Sequence, residues 1–61
     1  MKAQDFADWR YAMRLNRTKA ASALGIGRNM PQRFEDGKAK VPVHIALACA
    51  ALIRGIAPWP K

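Results

Sequence analysis

The sequence predicts an all-α domain of four short helices, and three observations carry that reading. Apolar residues recur at helical spacing along the chain. Residues that start and stop helices stand between those runs: Asn16, Gly25, Asp36-Gly37, Pro42 and Gly55. Nowhere do apolar and polar residues alternate as in a strand. The 61 residues fit a single domain, 1–61, with no repeat or low-complexity run.

The first helix is expected from Gln4 to Leu15. Phe6, Trp9, Ala12 and Met13 fall on one face, with Ala7, Arg10 and Arg14 on the other side. Asp5 and Asp8 lie in the first turns, where negative charge suits the helix dipole. Asn16 is a good N-cap, because its side-chain oxygen can accept a free backbone N–H of the next turn. A second helix then runs from about Arg17 to Leu24, rich in the helix-forming, close-packing Ala20, Ala21 and Ala23. Gly25 stops it, with a left-handed backbone expected there. The third helix is expected from Arg28 to Glu35. A proline is tolerated only near a helix start, so Pro31 pins that start at Gly27 or Arg28. Lys38 to Val41 reads as a polar loop, Pro42 as the first residue of helix four, and Gly55 as its stop after Arg54. The tail IAPWPK has two prolines and cannot continue a helix.

The net charge is +7, from eleven Lys and Arg against four Asp and Glu. An excess of one sign in so small a chain points to an anionic partner, nucleic acid before a membrane surface. A chain this short buries only about 60% of the surface its unfolded form exposes, which leaves no room for a deep catalytic cleft. Thr18 and Ser22 have no acid or base partner that would make a nucleophile, so the chain is not read as an enzyme. One cysteine and one histidine give no intrachain disulfide and no metal site. Cys49 is expected in the core and His44 at the surface. The N-terminal MKAQDFADWR is not a signal peptide, and the apolar stretch from Val43 to Ile53 is too short to span a bilayer. A soluble, cytoplasmic protein without cofactor, small-molecule ligand or membrane partner is expected.

The segment AASALGIGRNMPQRFEDG holds the functional signal. Two short helices flank Gly25-Ile26-Gly27, with Ile26 plugging the angle between them. Ala20, Leu24, Ile26, Pro31 and Phe34 face inward, which leaves Arg28, Asn29, Gln32 and Arg33 outside. That is the layout of a helix-turn-helix, whose second helix enters the major groove.

On these residues the chain resembles the phage repressor and Cro-like helix-turn-helix family of small DNA-binding transcriptional regulators. The resemblance runs from roughly Phe6 to Gly55. It rests on Arg17-Thr18 at the start of helix two, the small Ala21, Gly25-Ile26 at the turn, the Phe34-Glu35-Asp36-Gly37 ending, and Val41-Pro42 before an apolar fourth helix. It implies a pairing of Arg10 with Glu35. Two positions depart from the family: Gly27 stands where Ser or Thr is usual, and Pro31 where Val or Ile is usual.

Arg28, Asn29, Gln32 and Arg33 have the chemistry of base readout, since Arg can engage guanine and Asn or Gln adenine through two hydrogen bonds. Met30 is read mainly as core packing. Arg17, Thr18, Lys19, Lys38 and Lys40 flank the reading helix and are the candidate phosphate contacts. Helix four is apolar on two sides. Ile45, Cys49, Leu52 and Ile53 share the core face, and a small domain can bury only one face. Val43, Leu47, Ala50 and Ala51, with Ile56 and Trp59 of the tail 55–61, form either a dimer surface or a tail folded back on its own molecule. The expectation is a regulator, a repressor, that binds a palindromic double-stranded operator as a homodimer. The alternatives are a protein-interaction module of antiactivator or antitoxin type, and a membrane-surface peptide; the spread of basic residues over several elements opposes the latter.

Overall fold

In a computed structural model, residues 1–60 are described, and they form α1 (Ala3–Ala12), α2 (Arg17–Leu24), α3 (Met30–Glu35) and α4 (Val43–Ile53). Among the described residues there is no strand, and no helix is long and apolar enough to cross a membrane. α3 packs against both α1 and α2, and α4 packs against α2.

The core is aromatic at its centre. Phe6 is wholly buried, with its ring centroid 5.5 Å from that of Trp9 and 5.2 Å from that of Phe34. Ala20, Ala21, Ile45 and Cys49 close around them, and Leu24, Ile26 and Met30 pack at the margin. Pro31 is also buried. The inward set expected from the sequence is therefore at or beside the core. The Trp9 indole N–H donates to the Cys49 carbonyl oxygen at 2.9 Å, which satisfies a buried donor and fastens α1 to α4. Burial pushes the Cys49 thiol up to about 11, so it is a protonated core residue at neutral pH.

All four helices end in the same way. An N–H two or three residues past the helix end reaches back to a carbonyl five residues earlier: Leu15 to Arg10, Ile26 to Ala21, Lys38 to Arg33 and Ile56 to Ala51, at 2.9–3.1 Å. This closure requires a left-handed residue just before the donor. Gly25 supplies it after α2, with φ of 69°, and Gly37 and Gly55 do so after α3 and α4. After α1 the position is taken by Arg14, at φ of 58°. A non-glycine residue there is disfavoured, so nothing in the sequence marks the stop. α1 therefore ends at Ala12, not at Leu15 as expected. Ala12 is exposed rather than core-facing, and Asn16 is freed to cap α2 by accepting from the Lys19 N–H at 2.7 Å.

Three other expectations are corrected. α3 starts at Met30, not at Gly27 or Arg28, with Asn29 as N-cap and Pro31 inside the first turn. Arg28 and Asn29 belong to the preceding turn, held by the Met30 N–H donating to the Gly27 carbonyl at 2.9 Å. Pro42 is the N-cap of α4 rather than its first helical residue, because its ψ of 156° is extended. Ile53 is 51% exposed and does not join Ile45 and Cys49 in the core.

Arg10 is the buried charge, not a solvent-facing one. Its Nε donates to Glu35 Oε2 at 2.7 Å, its Nη2 to Glu35 Oε1 at 2.9 Å, and its Nη1 to the Leu15 carbonyl at 3.1 Å. The two side chains are 9% and 8% exposed. The forked pair clamps α1 to the end of α3 and anchors the left-handed turn after α1.

Two stability predictions follow from this geometry. A Cβ added at Gly25 meets nothing within 4 Å, so the cost of Gly25→Ala is conformational, about 1 kcal/mol. Its melting temperature should fall by about 4–8 °C, while Gly25→Asn falls less. An unchanged melt for Gly25→Ala would contradict the turn geometry. The Arg10 guanidinium holds the Glu35 carboxyl below its ordinary value of 4.5. Folding stability from this pair is therefore full above about 4.5 and is lost as pH falls through the lowered value. Thermal melts between pH 7 and pH 3 should show that loss. Glu35→Ala should cost roughly 3–5 kcal/mol at neutral pH, because it strands a buried cation, whereas Arg10→Met with Glu35→Leu should restore stability and flatten the acid limb.

Candidate nucleic-acid interface

Exposed polar residues stand at the start of α2, on the turn before α3, and on α3 itself. Pro31 and Phe34 point into the core, so helical spacing turns Gln32 and Arg33 outward, and both are exposed. Arg28 and Asn29 are exposed in the turn just ahead. Asn29 occupies the N-cap position, but its side chain makes no capping hydrogen bond and its amide is uncommitted. The four candidate base-reading residues are thus all exposed, two on α3 and two on the turn. Met30 packs partly against the core, as expected.

The candidate phosphate contacts lie on the elements before and after the turn and α3 in the chain. Thr18 and Lys19 are exposed in the first turn of α2, and Lys38 and Lys40 in the loop after α3. Arg17 is the exception to a free cation. Its Nη2 lies 3.4 Å from Glu35 Oε1 with the side chain 48% exposed. The contact is long and wet beside the forked Arg10 pair, so Arg17 can leave Glu35 without stranding it.

Two cations that the sequence does not single out belong here as well. Lys2 lines a hollow of about 490 Å³ together with Lys40, against a floor of Phe34 and Val41. No spacing rule brings together residues so far apart in sequence. Arg14 stands in its left-handed turn one residue from the Asn16 cap, exposed and close in sequence to Arg17. An arginine is strained in this conformation, where glycine would be relaxed.

The charge is also partitioned. Up to Met13 the chain is balanced, Lys2 and Arg10 against Asp5 and Asp8. From Arg14 onward all the remaining Lys and Arg face only Glu35 and Asp36, so the whole excess of +7 lies in that part. Glu35 is itself neutralised by Arg10 and Arg17, which leaves Asp36 as the one acidic group there without an ion pair among the described residues.

The other apolar side of α4 is uncovered. Val43 is 76%, Leu47 66%, Ile56 56% and Trp59 96% exposed. Ala50 is exposed with them, and Ala51 is half-buried at the edge of a groove between α2 and α4.

The strain at Arg14 sets a test of its role. Arg14→Gly should raise the melting temperature by several degrees, a net gain of about 0.5–1 kcal/mol once the greater freedom of the unfolded chain is subtracted. The same change should weaken binding to any duplex DNA in low salt. A variant that gains stability with DNA binding intact would make Arg14 a helix terminator alone.

No family model, no curated protein and no solved structure matches this chain.

Proposed function

We propose that the chain is a sequence-specific double-stranded DNA-binding domain of helix-turn-helix type, a small transcriptional regulator acting as a repressor. The observation that carries this reading is the partition of the α2–turn–α3 segment. Its large apolar residues pack in or against the core, and Arg28, Asn29, Gln32 and Arg33 are all exposed, as are Arg17, Thr18, Lys19, Lys38 and Lys40 in the flanking helix start and loop. Long forked donors at the centre and point charges at the rim are what base edges and phosphates respectively require. Glu35, the carboxylate that would repel a phosphate, is tied inward by Arg10.

The mechanism is occlusion of a promoter. One copy offers one reading element and measures 32 Å in its longest direction, whereas successive major grooves on one face of DNA repeat at about 34 Å. Two copies related by a two-fold axis then read a palindromic operator, and the uncovered side of α4 is the surface left for their contact. The basic excess favours this over an antiactivator or antitoxin role directed only at protein.

Selection from random duplex DNA, followed by titration over a salt series, tests the proposal. A single preferred half-site should emerge. Arg33→Ala should relax the preference at one position of it, by ~1–3 kcal/mol of lost discrimination. Lys38→Ala should weaken all sequences alike and reduce the salt slope by about one unit. Unaltered sequence preference in Arg28→Ala, Gln32→Ala and Arg33→Ala together would remove α3 and its turn as the reader.

A further inference from the structure

Between α2 and α4 lies an apolar groove of about 270 Å³. Ala23 and Leu24 form one wall, Ala48, Ala51 and Leu52 the other, and the tail segment from Ile56 to Pro58 runs along its rim. No charged residue lines it. The next residue, Trp59, is 96% exposed, the most exposed large apolar side chain of the chain. A tryptophan therefore stands fully in water beside a groove that would take an apolar ring. In its own chain Trp59 is not among the residues that line the groove.

We propose that this groove receives the Trp59 indole of a second copy, and that the two tails dock reciprocally. The inference rests on the homodimer of the proposed function and names how that dimer is held. Size and charge favour a second copy as the occupant. Each buried indole contributes ~150–250 Å², which falls short of the roughly 800 Å² per partner of a standard interface. Further exposed apolar side chains lie beside the groove. Val43 and Leu47 continue the line of Ala51 back along α4 at one-turn intervals, and both are largely exposed. From Val41 to Ile53 the chain has no Lys, Arg, Asp or Glu. Two copies that each carry +7 can therefore meet along α4 with their cations outside the seam. Reciprocal docking is closed under a two-fold axis, so it yields a dimer and not a filament.

The chain has two tryptophans, and only Trp59 is exposed, so the whole protein labelled with 5-fluorotryptophan reports the event directly. Across a dilution series, the fluorine resonance of Trp59, assigned with Trp59→Phe, should move with the monomer–dimer equilibrium measured by sedimentation. That of buried Trp9 should stay. Trp59→Ala should fold normally and weaken the dimer by roughly 30-fold or more, the effect of deleting a central aromatic anchor. Ala51→Glu, which places a charge in the groove wall, should do the same. An equimolar mixture of these two variants should recover part of the association, because one intact tail then faces one intact groove. Circular dichroism confirms that each variant is folded. A dimer that survives Trp59→Ala overturns the tail exchange, even if Leu47→Lys dissociates it. A Trp59 resonance indifferent to concentration in a sedimenting dimer, or a mixture that recovers nothing, overturns it too. A wild-type protein that is monomeric at every concentration overturns it as well. Selection on random DNA is scored separately: a monomer that still selects one half-site leaves the DNA-binding reading standing without the tail exchange.

Discussion

One forked ion pair sets the register of the fold. Arg10 comes from the last turn of α1 and Glu35 is the final residue of α3, so their two hydrogen bonds fix the distance between elements separated by the whole of α2 and its turn. The third bond of Arg10, to the Leu15 carbonyl, holds the chain reversal after α1 and so sets where α2 begins. Replacing the pair with apolar side chains would keep the packing. What the pair adds is register: an arginine fork fits a carboxylate in few orientations, which adds to the seating of Pro31 and Phe34 in orienting the six-residue α3. The same pair removes a negative charge from a surface otherwise made of cations.

Strain and pairing are coupled at that corner. Arg14 takes the left-handed backbone that the other three helix ends assign to glycine. Its neighbours compensate: the Leu15 N–H closes on the Arg10 carbonyl, the Leu15 carbonyl accepts from Arg10, and Asn16 caps α2. A domain of this size has a small margin of stability, so a local penalty of about 1–2 kcal/mol is a large share of it. That it persists at an exposed arginine fits a corner selected for where it puts a cation.

What the sequence could convey follows from which signals are local. Asn16, the alanines of α2, Gly25 and the Pro31–Phe34 pair act within a few residues, and the α2 bounds and the inward set were legible from them. The end of α1 was not, because its stop is an arginine in a glycine conformation. The start of α3 was misplaced by two residues. Pro31 was rightly held to the first turn, but the chain spends Arg28 and Asn29 on a separate turn first, and no residue type announces that. The exposure of Ile53 and the meeting of Lys2 with Lys40 are set by tertiary placement, which periodicity does not carry. The Arg10–Glu35 pair was reached only through the family resemblance; by its position on the helix face Arg10 reads as solvent-facing.

The chain also carries more apolar side chain than it can bury. Apolar residues make up 51% of it, yet the buried core is a handful of side chains around Phe6. A small domain has a high ratio of surface to volume, so some excess is unavoidable and would normally be scattered. Here most of it is segregated. Val43, Leu47, Ile53, Ile56 and Trp59 are on α4 and the tail, Met1 and Tyr11 are the exceptions among the described residues, and the turn and α3 expose no large apolar residue. Segregation of this kind separates two demands that conflict on one surface. Contact with a polyanion needs solvated, mobile cations, and contact between like-charged copies needs a region with none. On the proposed function, placing the first on α2 and α3 and the second on α4, joined by a core that touches both, would let a single small domain meet each demand without weakening the other.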